Sequence, residues 1–360
     1  MPPLDTRVLV VDPLDPAPAA VAEAAAVLRR GGLVVFPTET VYGLGANALD
    51  RTAVAGIFRA KERPASDPLI VHVPDAGGMA AVATHITAQA WALAARFWPG
   101  PLTLILPRRP EVPDEVTAGL GTVGVRVPAH PVARALLVAA GVPVAAPSAN
   151  RFSRPSPTRA AHVLADLDGR VDVVLDAGPT EVGVESTVLD LTTTPPLVRR
   201  PGGIAVEAIR AIVPDVEVRA GVSGVEERQA SPGQLLRHYA PASPMTLYVG
   251  DPDRAVDRLA ADARQLVGAG LRVGVLAPGE DLARLAPLIA AQAAAGRIVT
   301  RPVGTRRDPA GAASALYEAI RAIDGAGVDR ILATAPAAEG IGLAIRDRLT
   351  RAAEGRVVSA

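Results

Sequence analysis

Short apolar runs bounded by glycine and proline alternate with alanine-rich helical stretches along almost the whole chain. That alternation restricts the chain to layered α/β folds. Residues 17–30 (APAAVAEAAAVLRR) have helical apolar spacing, end on Arg29-Arg30 and stop at Gly31-Gly32. A strand at 33–36 follows and is broken by Pro37. The same reading predicts helices over 51–61, 86–97, 131–140 and 158–167, the last with Thr158 as its N-cap. Strands are expected over 69–73, 102–106, 122–127, 142–146, 171–175 and 186–191, in a mixed sheet.

The texture changes at 214–244, a stretch rich in Gly, Ser, Pro and charge without a sustained period. This reads as a linker. Beyond it, strands at 245–250, 271–276 and 329–333 intersperse with helices at 252–267, 281–295, 309–324 and 341–353. The expected organisation is therefore a catalytic-sized domain over 1–214, a linker over 215–244, and a smaller three-layer α/β domain over 245–360.

Composition narrows the chemistry. The chain has no cysteine, so disulfides, thiolate nucleophiles and Cys-ligated zinc are excluded. Its 37 basic and 37 acidic residues balance. Residues 1–215 carry a net −2 and the remainder +2, so neither half binds nucleic acid by bulk charge. No apolar run is long enough to span a membrane, and the first residues carry acids and prolines where a leader needs a basic and then an apolar stretch. A soluble cytoplasmic protein is expected. Lys61 is the single lysine among 36 arginines. A compact ammonium kept where guanidinium is the rule either survives by chance or answers a geometric need.

Five segments combine polar and charged groups with strand ends. Pro37-Thr38-Glu39-Thr40-Val41-Tyr42-Gly43-Leu44-Gly45 leaves the first strand, is either a ligand loop or, more simply, an ordinary strand exit with glycine for positive φ, and is neither a P-loop nor a GxGxxG turn. Lys61, Arg63 and Asp67 follow a helix, where they either complement its dipole or clamp a triphosphate. His72 lies on the next strand with the parity of Ile70. Thr122, Gly124 and Arg126 share one strand face, and Arg126 needs either an internal carboxylate or an anionic ligand. Ala146, Ser148 and Asn150, then Ser153 and Ser156, leave another strand; Glu185, Ser186 and Thr187 enter one, with Arg199-Arg200-Pro201-Gly202-Gly203 beyond.

Taken in order, PTETVYGLGANA, KERP with PLIVH, TVGVRVP, APSAN with RPSPT, and GVESTVLD with RRPGG resemble the YrdC-like threonylcarbamoyl-AMP synthase family over roughly 20–215. Ser231-Pro232-Gly233 and Arg237-His238-Tyr239-Ala240-Pro241 resemble the linker of its long form. Glu339-Gly340-Ile341-Gly342-Leu343-Ala344-Ile345-Arg346 resembles the end of that form's extra domain. The resemblance implies a YrdC-like twisted mixed sheet with helices, plus a smaller Rossmann-like three-layer C-terminal domain. It implies a nucleotidyltransferase that makes threonylcarbamoyl-AMP and pyrophosphate from L-threonine, bicarbonate or CO2, and ATP, with Mg2+, for the t6A37 modification of tRNA. Lys61 and Arg63 would be the catalytic pair. Thr40, His72, Arg126, Ala146 and Ser186 would line the threonine pocket. Lys61, Arg63, Asp67, Thr122, Ser148, Ser156, Arg200 and Tyr239 would hold ATP, with Tyr239 folding over the nucleotide as part of a lid at 231–241. Asp67 departs from the family's usual Asn or Ser, and its carboxylate would repel a triphosphate unless Mg2+ or Arg intervenes. Metal ligands are not identified. The partners implied are small-molecule substrates and the tRNA threonylcarbamoyl-transferase machinery that takes the product, with weak tRNA contact, no membrane, and a monomeric chain.

Two competing readings are weaker. A non-catalytic double-stranded RNA or tRNA-binding module is opposed by the net −2 of the first domain and the absence of RNP-like aromatics. Carbamoyl-adenylate chemistry for hydrogenase maturation occurs in an architecture with zinc-finger cysteines, and this chain has none.

Overall fold

The computed structural model describes residues 4–218 and 238–360. The chain divides into two compact units: residues 1–152 with 156–235, and residues 153–155 with 236–360.

The strands of the first unit are β1 (Arg7–Val10), β2 (Val34–Phe36), β3 (Gly43–Asn47), β4 (Ile70–His72), β5 (Leu102–Pro107), β6 (Thr122–Arg126), β7 (Val144–Ala145), β8 (Val173–Asp176), β9 (Thr187–Asp190), β10 (Leu197–Arg200) and β11 (Glu217–Val218). They form one eleven-stranded mixed sheet in the order β1-β8-β2-β3-β7-β4-β6-β5-β9-β10-β11. Parallel pairs (β4 with β6, β5 with β9) alternate with antiparallel ones (β3 with β7, β5 with β6), as a mixed sheet requires.

Local chemistry explains the elements that carry functional groups. The helix Arg51–Lys61 starts at Asp50, whose side chain accepts from the Thr52 and Ala53 amides. It ends where Glu62 turns left-handed at φ 56°, which delivers Lys61 and Arg63 together at its C-terminus. The helix Pro131–Ala140 has Pro at its first turn and ends on left-handed Gly141. Its apolar face and that of Pro18–Arg29 cover one side of the sheet over Val34, Phe36, Val144, Val173 and Leu175.

Several expectations are revised. Residues 43–47, read as loop, form β3, because Gly43 and Gly45 let the backbone lie flat against Phe36; a Cβ on Gly45 would meet the Phe36 ring at 2.8 Å. Thr158 is not a cap: the helix runs Ala160–Leu167, its N-cap position is Arg159, and the Thr158 amide donates to His162 Nδ1 instead. The edge strands β1 and β11 and the strand β10 were not anticipated, being short or charged.

The second unit contains β12 (Met245–Val249), β13 (Val273–Ala277), β14 (Ile298–Pro302), β15 (Arg330–Thr334) and β16 (Val357–Ser359). All pairs are parallel, in the order β14-β13-β15-β12-β16. Helices Pro252–Gly268, Gly279–Ala294, Pro309–Asp324 and Gly342–Ala352 supply the crossovers. β14 and β16 were missed because they are mostly exposed and carry no alternating apolar pattern.

The RRPGG turn is set by close approach. Gly202 needs no positive φ, but a Cβ there would lie 2.3 Å from the Glu185 carbonyl oxygen, the Ser186 carbonyl carbon and the Thr187 amide nitrogen. We expect Gly202→Ala to destabilise the first unit by about 1–3 kcal/mol through overpacking, read as a lowered Tm. A loss of under roughly 0.5 kcal/mol, typical of an indifferent surface site, would show that this turn relaxes freely.

Candidate active site

Thr38, Glu39 and Thr40 follow β2 and are all buried. Thr38 Oγ1 donates to the Val41 carbonyl and lies 2.8 Å from Thr40 Oγ1, so the turn is tied internally. From outside, the Val182 amide donates to the Glu39 carbonyl (2.8 Å) and the Gly183 amide to that of Thr40 (3.1 Å).

Lys61 is 1% exposed and donates from Nζ to the carbonyls of Ser148 (2.6 Å) and Asn150 (2.5 Å). Burial, and then the Arg63 charge, hold its pKa well below the usual lysine range. Arg63 donates from Nε to the Asp67 carbonyl (3.2 Å) and from Nη2 to that of Pro68 (2.9 Å). The same Nη2 lies 2.9 Å from Asp67 Oδ2 in a buried pair. Asp67 is thus neutralised by Arg63, which answers the charge problem its presence raised.

His72 and Arg126 are register partners on the parallel strands β4 and β6. Ile70 and His72 therefore share a face with Thr122, Gly124 and Arg126. Burial, and then the charge of Arg126, pull the His72 pKa down to about 3, so the ring is neutral. Among the described residues its buried Nδ1 has no hydrogen-bond partner. Arg126, 4% exposed, donates from Nε to the Gly100 carbonyl (3.2 Å) and from Nη2 to Glu39 Oε1 (2.6 Å). The internal carboxylate left open by the sequence is therefore Glu39. Farther along this face, Ile70, Thr103, Ile105, Thr122, Gly124 and Val188 line a small, partly open pocket.

Across the sheet, the Ala146 amide donates to the Ile70 carbonyl (2.9 Å), and Ser148 bridges to Gly43. Ser186 Oγ lies 2.8 Å from Thr103 Oγ1. Arg200 donates from Nη2 to the Ser186 carbonyl (2.9 Å) and hydroxyl (3.2 Å). Ser156 Oγ donates to Glu185 Oε1 at 2.5 Å.

Thr40, Lys61, Arg63, Asp67, His72, Thr122, Arg126, Ala146, Ser148, Ser156, Ser186 and Arg200 all belong to the first unit. Those that flank or lie on strands fall on six of seven consecutive neighbours, β3-β7-β4-β6-β5-β9-β10, and Thr103 supplies the missing β5. Tyr239 belongs to the second unit. It is buried at φ 61°, a conformation uncommon for a bulky residue, with its ring 5.6 Å from that of Tyr317 and 5.1 Å from the Arg348 guanidinium. Residues 231–237 of the expected lid lie outside the described residues. Glu39, Thr103 and Glu185, the partners of Arg126, Ser186 and Ser156, were not among the candidate residues. For Glu39 the signal was available, since an acid inside an apolar segment needs a partner as much as Arg126 does.

Comparison with known proteins gives the family. A family model described as "Telomere recombination" (Sua5, YciO and YrdC) matches residues 26–202, and one described as "Threonylcarbamoyl-AMP synthase, C-terminal domain" matches 204–354. The threonylcarbamoyl-AMP synthase of Bacillus subtilis (strain 168) is 44% identical over 350 residues, 97% of each chain. That of Pyrococcus abyssi (strain GE5 / Orsay) is 42% identical over 337 residues, 93% of this chain and 94% of the relative. The crystal structure of P. abyssi Sua5 complexed with L-threonine superposes with a TM-score of 0.88 at 39% identity, covering 98% of this chain and 99% of that one. With both domain types matched and nearly its full length shared, this chain belongs to the Sua5/YrdC family, in the long form that carries the C-terminal domain.

Proposed function

We propose that this chain is an L-threonylcarbamoyladenylate synthase, a nucleotidyltransferase that joins L-threonine, bicarbonate or CO2, and ATP into threonylcarbamoyl-AMP and pyrophosphate. The observation that carries the reading is Arg126: a buried guanidinium with its Nε and Nη2 tied to protein acceptors and, among the described residues, no hydrogen bond from its Nη1. A charged donor kept in that condition calls for an anionic partner from outside, and an amino acid carboxylate fits it. The likeness to a protein crystallised with L-threonine supports the choice of amino acid.

The chemistry needs positioning and charge balance. The threonine amine adds to CO2 and loses a proton, giving a carbamate. One carbamate oxygen attacks the α-phosphorus of ATP in line, and pyrophosphate leaves. Neutral His72 beside Arg126 adds a hydrogen-bonding ring without a second positive charge. Thr40, Ala146 and Ser186 complete the amino acid pocket. Lys61, Arg63, Thr122, Ser148, Ser156 and Arg200 face the nucleotide, and Asp67 holds Arg63 in place. Lys61 acts through the Ser148–Asn150 loop that its Nζ fixes, with its third proton directed to phosphate. Among the described residues no cluster of three or more His, Cys, Asp or Glu could cage a metal. Asp67 and Glu185 are engaged with Arg63 and Ser156, so the residues do not fit a protein-held Mg2+ site. The product would pass to the tRNA threonylcarbamoyl-transferase machinery in the cytoplasm, with the chain acting as a monomer.

Pyrophosphate release from ATP, dependent on both threonine and bicarbonate, tests the assignment; release without either, or with any amino acid equally, would overturn it. Arg126→Ala should raise KM for threonine about 10- to 100-fold, the scale of a lost charge-assisted hydrogen bond, and leave KM for ATP nearly unchanged. Equal effects on both substrates would contradict the carboxylate role. Lys61→Arg should lower kcat roughly tenfold or more, because a planar fork does not fit a fully buried slot between two carbonyls; wild-type kcat would make the lone lysine an accident. The His72 pKa adds a pH signature. A histidine whose folded pKa lies below its unfolded 6.5 costs stability as pH falls, starting near 6.5 and complete only near 3. His72→Asn should therefore lose less Tm than the native chain between pH 6.5 and 4, and parallel Tm curves would refute the assignment of a neutral ring.

A further inference from the structure

Glu39 is 5% exposed and lies outside every role assigned above. Both its oxygens are engaged: Oε1 accepts from Arg126 Nη2 at 2.6 Å, and Oε2 accepts from the Ala129 amide at 3.0 Å. Its backbone is held by the Val182 amide. Ala129 is itself fixed, because the next residue, His130, caps the helix Pro131–Ala140 by accepting from the Val132 amide at Nδ1 (3.2 Å). Glu39 therefore sits in a frame set by two other chain segments, 126–132 and the one carrying Val182.

A buried ion pair is a poor source of stability, since the desolvation of two charges consumes most of their attraction. A pair kept for stability alone should also satisfy its guanidinium fully. Here Glu39 and the Gly100 carbonyl take the Nε–Nη2 side, and among the described residues Nη1 makes no hydrogen bond. The guanidinium plane is thus fixed by one edge and presents the other.

We infer that Glu39 is the positioning residue for Arg126, fixing the guanidinium so that its Nη1 edge receives the carboxylate of the amino acid substrate. Glu39 also offsets the charge of Arg126, so the arriving carboxylate meets a directed donor and not a bare buried cation. The assignment rests on the reading of Arg126 as the carboxylate-binding group. Without Glu39 the guanidinium can rotate toward other acceptors, and threonine must restore its orientation on binding. The cost falls on threonine affinity, while ATP affinity is left alone.

The test is a double-mutant cycle on the full chain, reading KM for threonine and for ATP in pyrophosphate release. Glu39→Ala should raise KM for threonine about tenfold and change KM for ATP less than about twofold. Glu39→Gln, isosteric and still an acceptor, should fall between the two. In an Arg126→Ala background, Glu39→Ala should add less than about twofold, because no guanidinium remains to be positioned. Effects of Glu39→Ala that are equal on both substrates, or that multiply fully with Arg126→Ala, overturn the inference. If the alanine variant fails to fold, Glu39→Gln decides by the same split between substrates. Should Arg126→Ala leave threonine KM unchanged, it is the underlying reading of Arg126 that fails, and that outcome is distinct from the others.

Discussion

Buried cations tied to main-chain carbonyls are the constraint on which the first unit depends. Lys61, Arg63, Arg126 and Arg200 are each at most 7% exposed. Removing such charges from water is expensive, and the cost is tolerable only where hydrogen bonds replace hydration. Each of the four meets it in the same manner, with a donor on a carbonyl at or near a strand end: Ser148 and Asn150, Asp67 and Pro68, Gly100, and Ser186. Carbonyls are convenient partners because they neutralise no charge. They orient a cation and leave its net positive potential available to an anion, which a carboxylate partner would cancel. Arg63 and Arg126 each meet a carboxylate as well, Asp67 and Glu39.

That scheme explains why the fold is an extended mixed sheet. The anchoring carbonyls must be free of ladder bonds, and such groups occur where strands end. Short strands such as β4 and β7 place many ends within one patch of sheet, and the antiparallel steps let chain segments distant in sequence deliver their ends to it. Glycines complete the arrangement by removing side chains where two backbones nearly touch, as at Gly202 against Glu185–Thr187.

Much of this was legible beforehand. The helix at 51–61 and the strands carrying His72 and Arg126 follow from period and punctuation, and the shared face of Thr122, Gly124 and Arg126 follows from the pleat. The order of the motifs gave the family. What the sequence withheld was partnership. Nothing local to Arg126 says that its carboxylate comes from a residue far back in the chain, because that choice is made by the strand order β3-β7-β4-β6. The β3 strand itself was hidden by its glycines, which read as loop chemistry until packing against Phe36 gives them another reason. Thr158 failed as a cap for a comparable cause: His162 takes its amide, and tertiary contact overrides local preference.

The second unit shows the contrast between a fold and a site. Its five parallel strands and four crossovers make a sheet whose carboxyl edge, in such architectures, is where ligands usually bind. In this chain that edge is occupied by its own side chains. Arg306 grips the buried Asp281 through two contacts of 2.7 Å and reaches the Ala335 carbonyl, while Thr334 donates its hydroxyl to the same carboxylate. Asp281 also stands in the first turn of its helix, where a carboxylate already complements the dipole that would otherwise attract a phosphate. At this edge an acid of a helix's first turn, a strand-end hydroxyl and an arginine engage one another, whereas at Arg126 the carboxylate and carbonyl partners take the Nε–Nη2 side of the guanidinium. The same layered architecture thus closes a carboxylate inside one unit and holds an arginine by one edge in the other.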